Sequence, residues 1–198
     1  MKTNTKETIT EIALKKFAEK GYEATSMSDV ADALGITKAA LYKHYSSKRE
    51  IFEAIVKKMT ADDFERAKNY NVPESSYEDD GESYKGVDGK SVLDFAKAQF
   101  SYWTRDEFAS RFRKMLSLEQ YRDEECRTLY GNMLVNGPVE YVGAILRESG
   151  KSADEARNLA LRLYGVMFLM YTVYDHATDK DGVTRELENY VDDLKKEF

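Results

Sequence analysis

Residues 25–48 read TSMSDVADALGITKAALYKHYSSK and predict two short helices joined by a glycine turn. Ser26 and Asp29 form a capping-box pattern, because each side chain can bond the other residue's backbone N–H where a helix begins. Gly35 tolerates the positive φ that often follows a helix end, and Thr37 can cap the next helix. This pattern is typical of a helix-turn-helix, whose second helix lies in the DNA major groove.

The second helix of this pair has two different faces. Its 100° step per residue places Leu41 and Tyr45 together, so we expect both to face the core. The opposite side carries small, basic and phenolic residues, namely Ala39, Ala40, Tyr42 and Lys43. Small residues beside a cation suit close approach to base edges and phosphates. The alternative is an ordinary pair of surface helices, since any amphipathic hairpin shares much of this pattern.

The flanking residues predict two further helices. An apolar stripe precedes the motif and stops at Gly21, and it comprises Ile9, Ile12, Ala13, Leu14 and Phe17. After the motif, Ser47 and Glu50 form a second capping box, which opens a long connecting helix over residues 48–70. The N-terminal region is therefore predicted to be a three-helix domain that continues into a fourth helix.

The segment IALKKFAEKGYEATSMSDVADALGITKAALYKHYSSKREIF, residues 12–52, resembles the DNA-binding domain of TetR-type (tetracycline-repressor-like, TetR/AcrR) transcriptional regulators. Tyr45 stands where that family more usually has phenylalanine, which keeps an aromatic in the core. The resemblance covers roughly the first sixty residues. The matching residues are Phe17, Gly21, Thr25, Val30, Ala31, Gly35, Ile36, Thr37, Leu41, Tyr42, His44, Tyr45, Lys48 and Phe52.

The resemblance implies which residues contact DNA. Tyr42, Lys43 and His44 fall where the family commonly touches backbone phosphate, and Lys48 resembles its phosphate-binding lysine at a helix N-terminus. The alternatives are a solvated Lys48 and a partly buried spacer at His44. The full predicted DNA-binding set is Ser26, Ser28, Thr37, Lys38, Ala39, Ala40, Tyr42, Lys43, His44 and Lys48.

The charge distribution favours localised DNA binding. The chain has a net charge of −6, yet its first 60 residues hold 11 Lys/Arg against 8 Asp/Glu, while the other 138 hold 19 against 28. An acidic protein with one basic end suits operator binding better than nonspecific wrapping of nucleic acid. RNA binding is disfavoured, since neither an RNP-type aromatic strand nor a GXXG loop is present.

Cysteine usage and the N-terminus predict a cytoplasmic protein. Cys126 is the single cysteine, so it cannot form an internal disulfide, and we expect a packed thiol rather than a redox sensor. The N-terminus lacks the apolar core of a secretory signal. The longest strongly apolar stretch, residues 163–174, is too short to cross a bilayer.

The rest of the chain predicts an all-α fold of about nine helices. Residues 1–48 are interpreted as the DNA-binding domain and residues 49–198 as a helical ligand-binding and dimerisation domain. Residues 71–91 are polar and glycine-dotted, and predict a long loop, either a solvated insert or a lid over a pocket. Pro138 must kink or restart its helix, and Asp181-Gly182 is expected to break the chain before the last one.

The penultimate helix, about 153–176, is apolar almost all round between Leu159 and Tyr174. Such a helix must be buried on more than one side. In the TetR-type family the last two helices pair with their symmetry mates, so the resemblance implies a homodimer through residues 153–176 and about 183–197. The alternative is a helix buried wholly within one subunit.

The resemblance also implies a small-molecule pocket in the core of the C-terminal domain. Aromatic and methionine side chains suit an aromatic or lipophilic effector, although for each residue alone core packing is the stronger interpretation. The candidates are Phe100, Trp103, Phe108, Phe112, Met115, Tyr121, Tyr130, Met133, Tyr141, Tyr164, Met167, Phe168 and Tyr171.

An enzymatic function is not predicted. No CxxC, HExxH, GxSxG or P-loop pattern occurs, so neither a metal nor a cofactor is expected. We expect a homodimeric repressor that binds palindromic double-stranded operator DNA, is released by a small effector and has no membrane partner. The alternatives are a DNA-scaffolded protein-interaction regulator and an activator, both without a small-molecule effector.

Overall fold

The computed structural model describes residues 6–72, residue 84 and residues 86–198, and within them the chain is all-helical, with no strand. Ten α-helical segments are present in these residues, and a π-helical turn at Gly131–Val135 makes α7 and α8 continuous. Counted with α7, the π-helical turn and α8 as one interrupted helix, the described residues contain nine helices, which confirms the predicted all-α fold. The helices are α1 (Lys6–Lys20), α2 (Met27–Leu34), α3 (Lys38–Tyr42), α4 (Lys48–Asn69), α5 (Gly89–Arg105), α6 (Glu107–Glu119), α7 (Glu124–Tyr130), α8 (Asn136–Glu148), α9 (Ala153–His176) and α10 (Lys180–Asp193).

The helix ends of the N-terminal region follow the local signals. Ser26 and Asp29 make both hydrogen bonds of the capping box, and Gly35 adopts φ +68° after α2. Thr37 caps α3 by accepting the Ala40 N–H. The second box forms only in part: Ser47 accepts the Glu50 N–H, whereas the Glu50 carboxylate accepts from Ser46 instead of Ser47.

The chain folds as two compact units. The first compact unit comprises Met1–Asp62 and Glu107–Thr128, and the second comprises Asp63–Asp106 and Leu129–Phe198. In the first, α6 packs against α1. These compact units do not match the predicted boundary between residues 48 and 49. That boundary separates the proposed functional domains and stays a prediction.

The second compact unit is built around α9, which packs against α8, α10 and α5. The π-helical turn lies immediately before Asn136-Gly137-Pro138, and Val135 has the non-helical angles φ −121° and ψ −89°. Because proline has no N–H for the preceding turn, the backbone is irregular just where Pro138 requires it. The sequence-based expectation of a kink or restart is therefore confirmed.

Two sequence-based expectations are wrong in this region. Asp181-Gly182 does not break the chain: both residues lie in the first turn of α10, where Asp179 is the N-cap and accepts the Gly182 N–H at 2.8 Å. Tyr121 does not lie in a core, since its side chain is 85% exposed after the end of α6. The predicted loop at 71–91 includes residues 73–83 and 85, which lie outside the described residues.

None of the helices among the described residues is both long enough and apolar enough to cross a membrane.

Candidate nucleic-acid interface

The short helix α3 exposes one face and buries the other. Leu41 and Tyr45 are 0% and 4% exposed, as the sequence predicted. The Tyr45 hydroxyl points toward the carbonyl of Lys6, at 3.4 Å. The exposed residues Lys38, Ala39, Tyr42 and Lys43 form what we call the α3 face, and Ala40 and His44 are half-buried.

The α3 face has one internal contact that shapes it. The Lys38 ammonium lies 5.9 Å from the centre of the Tyr42 ring, within the range of a cation–π interaction. Tyr42 is nonetheless 45% exposed. The face therefore offers two cations and a phenol beside small Ala39, a combination that can contact phosphates while the backbone comes close to base edges.

The two predicted serine donors at the start of α2 differ in their surroundings. The Ser26 hydroxyl accepts the Asp29 N–H at 3.1 Å and donates its own hydrogen to the Asp29 carboxylate. Its single donor is thus used inside the capping box. Ser28 is half-buried in the first turn. The predicted phosphate contact of Ser26 requires that the bond to Asp29 be exchanged for one to DNA.

The Asp29 carboxylate makes the stability of α2 depend on pH. Hydrogen bonds from the Ser26 side chain and backbone, followed by Lys20, hold the pKa of Asp29 well below its usual value. A depressed folded-state pKa stabilises the fold above the unfolded value, about 4, and that contribution is lost as the pH falls below it.

We therefore expect the unfolding temperature of wild type to exceed that of Asp29→Asn at pH 7, and the difference to narrow as the pH falls from about 4 toward 2. Circular dichroism melts across that range measure it. Ser26→Ala should show a weaker pH dependence than wild type, because it removes the largest cause of the shift. A difference that widens on acidification would contradict this assignment.

Lys48 occupies a position that the sequence did not anticipate. Its ammonium donates to the carbonyls of Tyr22 and Glu23 at 2.6 and 3.2 Å, and lies 4.3 Å from the centre of the Tyr22 ring. It is therefore neither a solvated lysine nor free of protein contacts. Of its three N–H donors, two are used by carbonyls, which leaves one for a phosphate. The phosphate contact stays a prediction.

The model of the tetR family of bacterial regulatory proteins matches residues 9–55, which run from α1 into α4 and contain the α3 face. Residues 9–55 are therefore similar to the tetR family.

A regulator of known role resembles about a quarter of the chain. The biofilm operon icaADBC HTH-type negative transcriptional regulator IcaR of Staphylococcus aureus is 44% identical over 52 residues, which are 26% of this chain and 28% of IcaR. The matched part thus spans little more than a quarter of the relative's length.

Solved structures resemble the fold over almost the whole chain. A transcriptional regulator of the TetR/AcrR family from Aquifex aeolicus has a TM-score of 0.70 at 16% identity, covering 96% of this chain and 99% of its own. The SmeT–triclosan complex has a TM-score of 0.64 at 17% identity, covering 96% and 90%. At such identities the likeness shows a common fold.

The sequence analysis missed three residues that support the TetR-type domain. Tyr22 packs between Phe17 and Phe52, with ring centroids 5.1 Å from each. Arg49 makes a two-pronged ion pair with Glu125, 76 residues away. Glu119 of α6 accepts the Tyr22 N–H. Only Tyr22 carried a local signal, as an aromatic directly after the helix-ending glycine.

The candidate effector residues divide between the two compact units. Phe108, Phe112, Met115 and Tyr121 belong to the first, and the other nine belong to the second. Most are buried or half-buried, but Phe168 is 41% exposed. A surface depression of about 840 Å³ in the second compact unit is lined by none of them; its lining includes Arg66, Lys97, Tyr102 and Glu188.

A chain of polar groups runs from the core of the second compact unit to half-buried positions on α4. Tyr164 donates to the Gln99 side-chain oxygen at 3.0 Å, and Gln99 in turn hydrogen bonds Asp63. Arg66 donates to Asp63 at 2.6 Å and stacks over Tyr102 at 3.4 Å. Burial raises the pKa of Asp63 despite the neighbouring guanidinium. These groups give an otherwise apolar core a set of donors and acceptors that can exchange partners with a polar ligand group.

Proposed function

We propose that this protein is a DNA-binding transcriptional repressor that acts in the cytoplasm as a homodimer on a palindromic operator and is released by a small lipophilic or aromatic effector. The observation that carries the DNA-binding part is the α3 face, held outward by buried Leu41 and Tyr45 within a domain similar to the tetR family. Repression is supported by the negative regulator IcaR, to which this domain is similar.

A homodimer is supported by an exposed apolar stripe on α9. Leu161, Phe168, Leu169 and Val173 are each at least 38% exposed and lie on one side of the helix, together with exposed Gly165. The opposite side of α9 is buried within the subunit. A contiguous apolar surface of this kind marks an interaction site, and a second copy of α9 is its natural cover, since two-fold pairing buries the same stripe twice.

The last helix, α10, is proposed to contribute a different part of the dimer interface. Among its described residues, α10 turns Val183, Leu187 and Val191 inward, while its exposed positions are polar or charged. We therefore assign the apolar centre of the proposed interface to α9 and a polar rim to α10, which is the usual arrangement of such interfaces.

The DNA-binding proposal is tested by selecting random duplex DNA with the purified protein and titrating salt on the selected sequence. We expect a palindrome whose binding weakens steeply as salt rises, because phosphate contacts release counterions. Lys43→Ala should weaken binding and lower the salt slope by about 0.9 for each phosphate that the variant no longer neutralises. Failure to enrich any sequence would exclude the function.

Lys48→Ala in the same titration separates its two roles. A lowered salt slope would indicate a phosphate contact. A reduced affinity at an unchanged slope would mean that the ammonium acts through the carbonyls of Tyr22 and Glu23. Lys57→Ala serves as a control, since it removes a lysine from the same helix nine residues further on.

The effector part of the proposal draws on the aromatic residues around the polar chain of the second compact unit. The bound molecule in the SmeT complex, triclosan, is named with a protein of the same fold. Phe100 and Tyr171 stack with ring centroids 5.3 Å apart, and the Tyr164–Gln99–Asp63 chain belongs to the same compact unit. Apolar walls with a few convergent polar groups suit an aromatic ligand that carries a hydroxyl.

Triclosan and other phenols are therefore titrated into the preformed operator complex. We expect these compounds to release the wild-type protein from the operator. Tyr164→Phe should shift the compound concentration that release requires. Tyr190→Phe is the matched control, because its hydroxyl also donates a hydrogen bond in this unit but on the exposed surface. If no aromatic or lipophilic compound releases the DNA, the effector part fails while the DNA-binding part stands.

A further inference from the structure

The turn between α1 and α2, residues 21–25, is held from two sides by residues distant in sequence. From α6, Glu119 accepts the Tyr22 N–H at 3.1 Å. From the first turn of α4, Lys48 donates to the Tyr22 and Glu23 carbonyls. The N–H and the C=O of Tyr22 are thus both bonded to charged side chains, and such bonds are stronger than those between neutral groups.

Glu119 is unusual because it is a carboxylate buried within the first compact unit. The residue is 1% exposed, and the guanidinium of Arg122, which is itself mostly exposed, lies 4.0 Å from its carboxylate. A buried charge is costly unless hydrogen bonds compensate it. The Tyr22 N–H donates such a hydrogen bond. Removing the carboxylate would leave the Tyr22 amide without its acceptor. Changing the turn geometry would leave the buried carboxylate without this donor.

The turn in question determines where α2 begins. Thr25 is buried, and its hydroxyl bonds the Gly21 carbonyl at 2.8 Å. The next residue, Ser26, is the N-cap of α2, and α2 packs directly against α3. Because the clamped turn runs directly into the cap, its position sets the direction in which α2, and with it the α3 face, leaves α1.

We propose that Glu119 is a positioning residue for DNA binding, which fixes the α3 face by accepting the Tyr22 N–H. The proposal rests on the proposed DNA-binding function. It places a determinant of operator affinity on α6, in a segment more than 70 residues from the α3 face and outside the part of the chain that matches the tetR family.

The sign of the effect separates positioning from simple electrostatics. Glu119 carries a negative charge in the same compact unit as the surface proposed to meet phosphate, so a purely electrostatic role predicts tighter DNA binding when the charge is removed. Positioning predicts the opposite whenever the acceptor is removed. It also predicts that glutamine, which keeps an oxygen acceptor of the same shape without the charge, restores binding.

The test measures operator affinity for wild type, Glu119→Leu, Glu119→Gln and a control, Glu124→Leu. Glu124 is an exposed carboxylate five residues further on, paired only with the neighbouring Arg127 among the described contacts. We expect Glu119→Leu to bind about tenfold or more weakly, Glu119→Gln to stay within about threefold of wild type, and Glu124→Leu to bind at least as tightly as wild type.

Two additional readouts distinguish positioning from a general loss of folding. Stoichiometric titration at protein concentrations far above the Kd gives the active fraction, so affinities refer to folded molecules only. Amide hydrogen exchange by NMR should show faster exchange at Tyr22 in Glu119→Leu and unchanged exchange in Glu124→Leu.

The outcomes separate the two proposals. Wild-type affinity of Glu119→Leu, or tighter binding by both Glu119 variants, would overturn the positioning role while DNA binding itself stood. Absence of any enriched duplex with wild type would refute the proposed function itself. Weaker binding by Glu119→Leu with recovery in Glu119→Gln supports the assignment.

Discussion

Replacing Leu169 by arginine is expected to dissociate the proposed dimer and to abolish tight operator binding. Leu169 is 60% exposed at the middle of the α9 stripe. In a two-fold interface every substitution occurs twice, so the variant brings two desolvated cations against apolar surface and against each other. Such a change commonly costs several kcal/mol, and we expect the dissociation constant of the dimer to rise by about 100-fold or more.

Operator affinity is expected to fall when the dimer dissociates, because the two half-sites are then bound by separate molecules. A dimer binds its second half-site at a high effective concentration, and a monomer loses this gain. Sedimentation equilibrium gives the oligomeric state, and titration of the selected duplex gives the affinity.

Leu118→Arg is the matched control for this experiment. Leu118 is also an exposed leucine on a helix, at 55%, but it lies on α6 of the first compact unit. The Leu118→Arg protein should remain dimeric. A Leu169→Arg protein that sediments as the wild-type dimer would place the interface elsewhere.

Gly21→Ala is expected to destabilise the protein by roughly 2–5 kcal/mol, for two separate physical reasons. Gly21 has φ +91°, a region that an L-residue enters only at a cost of about 1–2 kcal/mol. An added Cβ would also lie 2.7 Å from the Glu119 carboxylate oxygen. That oxygen can withdraw only by losing its hydrogen bond from the Tyr22 N–H inside a buried site, which costs about 1–3 kcal/mol more.

Gly35→Ala separates the two causes. Gly35 also has a positive φ, +68°, but apart from its own chain neighbours no atom lies within 4 Å of the place that a Cβ would occupy, so only the backbone cost applies. Urea unfolding followed by circular dichroism gives the free energy of each variant. In a Glu119→Ala background the cost of Gly21→Ala should shrink toward that of Gly35→Ala, because the overlapping atom is gone. Equal costs in the two backgrounds would show that the overlap contributes nothing.

The features that the sequence predicted correctly are those with local causes. The capping box at Ser26 and Asp29, the positive φ of Gly35 and the inward pair Leu41 and Tyr45 each depend on residues within a few positions of one another. Short-range hydrogen bonds and the helical period fix such features, so a pattern of residue types is sufficient to find them.

The features that the sequence could not predict depend on residues far apart in the chain. Nothing near Glu119 distinguishes it from a solvated glutamate, and its burial follows from α6 packing against α1. Lys48 was expected at phosphate because of its place in a motif, whereas its ammonium also meets carbonyls 25 and 26 residues earlier. The start of α10 was misplaced because Gly182 resembles a helix breaker, although Asp179 caps the helix before it.

The exposed position of Ala39 has a consequence for how such a regulator diverges after gene duplication. Thr37 is committed to capping α3, and Leu41 is committed to the core, so neither can change without loss of stability. Ala39 is exposed and does not cap the helix. On the proposed DNA interface, a longer polar side chain at this exposed position would add reach toward a base edge without disturbing the core. A duplicate copy could therefore acquire a new operator by one substitution, and the original and the copy would separate their target genes before their folds had begun to differ.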